Sequence, residues 1–162
     1  MRRRYAAVAV LVALLLVGTV AALPGGRALV VEDAETGDRY LTVPVENGTT
    51  VALEYTHSVE KTRVYDEYTV RGDHLEMTRM EFESFGWGLP SGANVTREDG
   101  VYVFDPPGNY TQVTVSPGDV AGHKLHVGAD TYDLVARTDG RSVDIHVTRR
   151  SAFGAMTDQL NT

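Results

Sequence analysis

Val143-Asp144-Ile145-His146-Val147 alternates apolar and polar residues one by one, the period of a strand that buries one face and shows the other to water. The same alternation runs through Val51, Leu53 and Tyr55, through Leu125 and Val127, and through Tyr132, Leu134 and Ala136. Further out, Arg27–Val31, Tyr40–Val45, Val64–Val70, Leu75–Phe82, Tyr102–Phe104 and Gln112–Val115 read as additional strands. Turn dipeptides punctuate them, among them Asn47-Gly48, Gly72-Asp73, Asp99-Gly100 and Asp139-Gly140. No helix-period apolar pattern follows Pro24. The expected fold is therefore all-β, an antiparallel sandwich or barrel of about 8–10 short strands. The expected domain occupies residues 24–150, and the tail 151–162 is assigned no element.

Ahead of it, Arg2-Arg3-Arg4 leads into Tyr5–Leu23, a run of 19 residues without a charge. As a helix it would measure about 28 Å, close to the thickness of a bilayer's hydrocarbon core. Positive charge before the run and none just after it place the N-terminus inside and the β domain outside. Residues 1–23 are thus expected to be one N-terminal transmembrane or signal helix, either a retained anchor or a signal peptide cut after Ala22. The length of the apolar run favours the anchor.

Composition narrows the partners. The chain has 162 residues, with 22 acidic against 15 basic, and three of the basic ones precede the apolar run. The exported part is strongly acidic, which argues against nucleic acid and anionic headgroups. Only Lys61 and Lys124 are lysines, against 13 arginines. High acid with little lysine suits a halophilic source such as a salt-loving archaeon, where screening removes self-repulsion. There is no cysteine, so disulfides, thiolate metal sites and cysteine nucleophiles are excluded. Asn47, Asn94 and Asn109 each begin an N-x-[ST] sequon, as expected of glycan acceptors on an exported domain.

Two stretches are not explained by alternation. In Tyr55-Thr56-His57-Ser58-Val59-Glu60-Lys61-Thr62-Arg63-Val64-Tyr65 an apolar strand runs into hydrogen-bonding and charged side chains. On an extended chain His57 shares a face with Tyr55, while Ser58, Glu60 and Thr62 line the other. That face either binds a polar ligand or forms a network that locks a turn. In Glu81-Phe82-Glu83-Ser84-Phe85-Gly86-Trp87-Gly88-Leu89-Pro90 an aromatic and glycine loop leaves a strand end and carries the only tryptophan. Catalytic readings are weak. Ser58 next to His57 makes no dyad on a strand, and His123 with His126 would point to opposite faces, so no metal is assigned. A metal site from His57 with Glu81 or Glu83 is one that the fold would have to create.

The two stretches resemble the paired motifs of the domain-of-unknown-function family numbered 1850, approximately Tyr-x-His-Ser-Val-Glu-Lys-Thr-Pro-Val and Phe-x-Ser-Phe-Gly-Ala-Gly-Leu-Pro. His57, Ser58, Val59, Glu60, Lys61, Thr62 and Val64 match the first; Phe82, Ser84, Phe85, Gly86, Gly88, Leu89 and Pro90 match the second. Arg63 stands at the usual proline and Trp87 at the usual alanine. The resemblance implies an extracytoplasmic accessory to TAXI-type tripartite (TRAP) solute transporters, partnered by a permease or solute-binding subunit. It implies no activity and no cofactor. The expected role is a non-enzymatic binding module, with His57, Ser58, Glu60, Lys61, Thr62, Glu81, Ser84 and the Phe85–Pro90 loop (Phe85, Gly86, Trp87, Gly88, Leu89, Pro90) as its working surface. A secreted hydrolase or transferase using His57–Glu60, and a structural cell-surface domain, are the alternatives.

Overall fold

The computed structural model describes residues 24–84 and 95–151. The Tyr5–Leu23 segment, the Phe85–Pro90 loop, Asn94 and the tail beyond 151 lie outside the described residues. Among those described, no helix is long and apolar enough to cross a membrane. The chain divides into two units. One, Ala28–Thr148, holds the fold; of the other, the described pieces are the strand ends 24–27 and 149–151.

Twelve strands and one short helix are described. In order they are β1 (Pro24–Asp33), β2 (Arg39–Val45), β3 (Thr50–Thr56), β4 (Arg63–Arg71), β5 (His74–Phe82) and β6 (Thr96–Glu98). Then come β7 (Val101–Phe104), β8 (Asn109–Tyr110), β9 (Gln112–Val115), β10 (Lys124–Val127), β11 (Asp130–Asp133), α1 (Leu134–Thr138) and β12 (Val143–Ser151). A small sheet runs in the order β2-β1-β12-β9, and a large one runs β11-β10-β3-β4-β5-β7-β6, with β8 added beside β5. Pairing within the large sheet is antiparallel throughout.

The sheets meet in one core. Leu29, Val31, Val143, Ile145 and Val147 from the small sheet join Val51, Leu53, Tyr68, Val70, Leu75, Leu125 and Val127 from the large one. Two hydrogen-bonded sheets that share an apolar interior form a sandwich, which resolves the choice between sandwich and barrel. Val51 and Leu53 of β3, Leu125 and Val127 of β10, and Val143, Ile145 and Val147 of β12 enter it as alternate residues, as the period-2 pattern requires. Asp33 locks one end of the small sheet. Its Oδ1 accepts the amides of Glu35 (2.9 Å) and Thr36 (3.0 Å), and its Oδ2 accepts the Tyr40 hydroxyl (2.8 Å) and the Arg141 guanidinium. The Arg141 guanidinium, with the two turn amides, holds the Asp33 carboxyl far below the usual carboxylate range.

Two expectations need correction. Tyr132, Leu134 and Ala136 do not share a strand: β11 ends at Asp133, and α1 begins at Leu134. The Asp133 carboxylate accepts the Ala136 amide at 3.0 Å, which caps the helix, and Asp139 closes it in the left-handed conformation at φ 52°. A capping aspartate outweighs three alternating residues, because five helical residues need no long apolar stripe of their own. The strand count also exceeds the expected ten at most, since β6 and β8 were too short and polar to show alternation. β6 exists because Asp99 and Gly100, both at positive φ (48° and 91°), form the tight turn that folds it back on β7.

Candidate functional site

The first motif is a turn and not a strand. β3 and β4 pair antiparallel, with Thr56 opposite Arg63, so the intervening six residues must reverse the chain. His57 organises that reversal. Its amide donates to the Thr62 carbonyl (2.8 Å), and its carbonyl accepts the Lys61 amide (3.0 Å). Its ring Nδ1 accepts the amides of Val59 (3.3 Å) and Glu60 (3.2 Å). Accepting at Nδ1 puts the proton of the neutral ring on Nε2. Lys61 closes the turn at φ 57°, a conformation costly for a residue with a side chain. Ser58, Glu60 and Thr62 therefore do not line one strand face, and the segment takes the other expected form, a hydrogen-bonded network that locks a turn. Ser58 and Lys61 are exposed, Glu60 is half-buried, and Val59 stands 64% exposed at the tip.

The second motif is brought to this turn. Thr62 Oγ1 and Ser84 Oγ lie 2.9 Å apart, across 22 residues of sequence. β4 and β5 make this contact possible, because Val64 pairs with Phe82 and the residues just beyond each strand end come together. Nearby, the Thr56 amide donates to the Ala121 carbonyl at 2.8 Å, tying the β9–β10 loop to the same sheet end. Val120 on that loop is 70% exposed. Behind the motifs, Val64 and Phe82 are fully buried in a second, smaller core with Tyr55, Met80, Val95, Tyr102 and Phe104.

Glu81 goes elsewhere. On the outer face of the large sheet, Arg63 Nε pairs with Glu54 (3.0 Å) and its Nη1 with Glu81 (3.2 Å). Arg79 pairs with Glu81 (2.7 Å) and with Glu98 (2.8 Å), and His126 Nε2 stands 3.8 Å from Glu54. The result is a chain of alternating charges across β3, β4, β5 and β6, with the His126 ring at its β10 end. Arg63 reaches both glutamates by lying over the Tyr65 ring, 4.7 Å from its centroid. Burial pushes the Glu81 carboxyl up, but the two arginines outweigh it and hold the group below the ordinary value.

On the inner face at the same end stand three half-buried polar side chains, Tyr55, Asp66 and His123, that alternation alone did not single out. Tyr55 stacks on His123, ring centroids 5.1 Å apart at 19°, and burial, with the Asp66 carboxylate adding to it, pushes its hydroxyl pKa up. Asp66 Oδ1 and His123 Nδ1 are both shielded from solvent and have no partner. Burial pushes the Asp66 carboxyl up to about 6, against the pull of the Tyr55 hydroxyl, and it pushes the His123 imidazole down. Period 2 marks this aspartate: Val64, Asp66, Tyr68 and Val70 form one inward row, with one acid in it.

The structure thus joins Thr62 to Ser84 and makes His57, Glu60 and Lys61 one turn, while Glu81 faces the arginines of the outer surface. His123 and His126 do point to opposite faces, one stacked on Tyr55 and the other beside Glu54. Asn47 and Asn109 are exposed, although the Asn47 side-chain oxygen accepts the Gly72 amide at 2.8 Å. A groove of about 330 Å3 at Arg79, Thr96, Glu98, Val103, Phe104 and Asp105 contains none of the residues singled out for the working surface.

The fold and site define a two-sheet β domain in which the His57–Thr62 turn is bonded to Ser84 at one end of the larger sheet. The chain belongs to the family described as "Domain of unknown function (DUF1850)", whose pattern matches residues 51–134, more than half of its length. The match runs from β3 through the first residue of α1, taking in the whole large sheet and both motifs. No curated protein and no solved structure matches the chain.

Proposed function

We propose that this chain is a non-enzymatic, membrane-anchored extracytoplasmic module that serves a TAXI-type TRAP solute transporter. The Tyr5–Leu23 run acts as its anchor and a halophile as its source. The carrying observation is the Thr62–Ser84 bond, which ties the first motif to the described start of the second. Exposed Val59 and Val120 flank it, as suits contact with a protein partner. The hydrolase reading needs His57 and a carboxylate free to converge on a substrate. His57 Nδ1 is committed to two backbone amides and Glu81 to two arginines, which counts against it. The test is transporter-dependent solute uptake in cells carrying Val59→Asp. Uptake should fall while the amount of folded chain stays the same; unchanged uptake overturns the choice of surface.

A further inference from the structure

We propose that Asn109 is a glycan acceptor that a membrane transferase modifies on the folded chain, while Asn47, in the same kind of sequon, is held out of reach by its own turn. The proposal rests on the extracytoplasmic location proposed for this domain, because such transfer takes place on that side of the membrane.

Both asparagines are exposed, so exposure alone does not separate them. Their bonding does. Asn47-Gly48-Thr49 lies in the turn between β2 and β3. The Asn47 Oδ1 accepts the Gly72 amide (2.8 Å), and Thr49 Oγ1 accepts the Glu46 amide (3.0 Å). The Gly48 amide donates to the Val70 carbonyl (2.9 Å), and the Thr49 carbonyl accepts the Val70 amide (2.9 Å). A transferase that reads the asparagine amide and the threonine hydroxyl together must open this set. Losing even the two side-chain bonds lowers the competent population roughly tenfold or more.

Asn109-Tyr110-Thr111 is built differently. β8 pairs with the start of β5, Tyr110 opposite Leu75 and Asn109 opposite Glu76. The Tyr110 ring meets the Tyr68 ring edge-on, centroids 6.0 Å apart at 83°. It also lies over Gly108, where an added Cβ would stand 2.7 Å from the ring. Successive strand residues point to opposite faces, so Asn109 projects outward, beside Glu76 and its exposed ion pair with Arg71. Thr111 follows at the bend into β9 and is exposed. Among the described residues, neither the Asn109 side-chain amide nor the Thr111 hydroxyl is tied to a partner.

The step is a substitution at a sugar. The donor is an oligosaccharide joined through its anomeric carbon to a lipid phosphate. Nδ2 of Asn109 bonds to that carbon, the bond from the carbon to the phosphate oxygen breaks, and the amide proton passes to the transferase. The lipid phosphate leaves with the bonding electrons. About 25 Å of extended chain separates Glu76 from Ser84, which places the glycan away from the Thr62–Ser84 contact.

Trypsin cuts after Arg39, Lys61, Arg97 and Lys124, so Asn47 and Asn109 fall in separate peptides, 40–61 and 98–124. Both are followed by mass spectrometry in the full chain purified from native membranes in mild detergent. Peptide 98–124 should carry a sugar mass, with an occupancy on the order of tenfold above that of peptide 40–61. Asn109→Gln should lose that mass, and so should Thr111→Ala, which keeps the asparagine. An unmodified peptide 98–124 overturns the proposal. Equal modification of Asn47 also overturns it, since the sugar would then be added before the turn forms. A separate sample of intact cells, treated with a membrane-impermeant amine reagent, tells these failures from failure of the location. Lys61 and Lys124 are exposed and are the only lysines. Labelled lysines with a bare Asn109 would sink the site and leave the location standing; unlabelled lysines with a bare Asn109 would sink both.

Discussion

Thr62 and Ser84, 22 residues apart, share a hydrogen bond of 2.9 Å, and through it the turn after β3 is tied to the chain just beyond β5. A half-buried hydroxyl pair of this kind contributes on the order of 1 kcal/mol. Thr62→Ala and Ser84→Ala should each lower stability by about that amount. In a double-mutant cycle the two should couple by about 0.5–1.5 kcal/mol, measured by denaturant unfolding. Additive effects would mean that the bond is not formed in solution.

His57 holds its turn through the ring, so the shape of the acceptor should matter more than its chemistry. His57→Ala should cost about 1 kcal/mol, as loss of a comparable helix cap does. His57→Asn, whose Oδ1 can take the place of Nδ1, should recover much of it. Full transport with His57→Asn would also be hard to reconcile with a catalytic imidazole.

Lys61 occupies the left-handed region at φ 57°, where a glycine has no side chain to strain. Lys61→Gly should leave stability unchanged or raise it by up to about 1 kcal/mol, despite the added freedom of the unfolded chain. A clear loss in thermal unfolding would contradict the turn geometry.

Arg63 separates Glu54 from Glu81, which flank Tyr65 on either side of β4. Because its side chain is 38% exposed, solvent screens both pairs, and Arg63→Ala should cost only about 1 kcal/mol. The loss should shrink in high salt.

Stability should peak in mild acid. The Glu81 carboxyl is held below its ordinary value, so its contribution is present above the unfolded glutamate range and is lost as pH falls through the lower folded value. Asp66 works in the opposite sense, losing stability as pH rises through about 6. Thermal unfolding between pH 3 and 8 should therefore show a maximum at about pH 4, where the Glu81 gain is nearly complete and the Asp66 loss has only begun, and Asp66→Asn should flatten its alkaline side.

Much of this was legible in the sequence, for a simple reason. Val51, Leu53, Val143, Ile145 and Val147 alternate, and alternation reports a half-buried strand directly. The turn at His57 was less visible, because its decisive contacts run from a side chain to backbone amides and leave no periodic trace. α1 was hidden by Leu134 and Ala136 continuing the β11 rhythm, although Asp133 before them is a capping residue. The arginine–glutamate chain and the Tyr55–Asp66–His123 group depend on strand order and register, which local pattern does not supply. Even so, Asp66 in an inward apolar row was a sign that could be read.

The central claim is a partnership, and affinity purification of the tagged full chain from native membranes in mild detergent tests it most directly. The account predicts that a TAXI-type permease or solute-binding subunit is recovered with the wild-type chain and is depleted with Val59→Asp. Recovery of the folded chain without either subunit, repeated after crosslinking in intact cells, would contradict it.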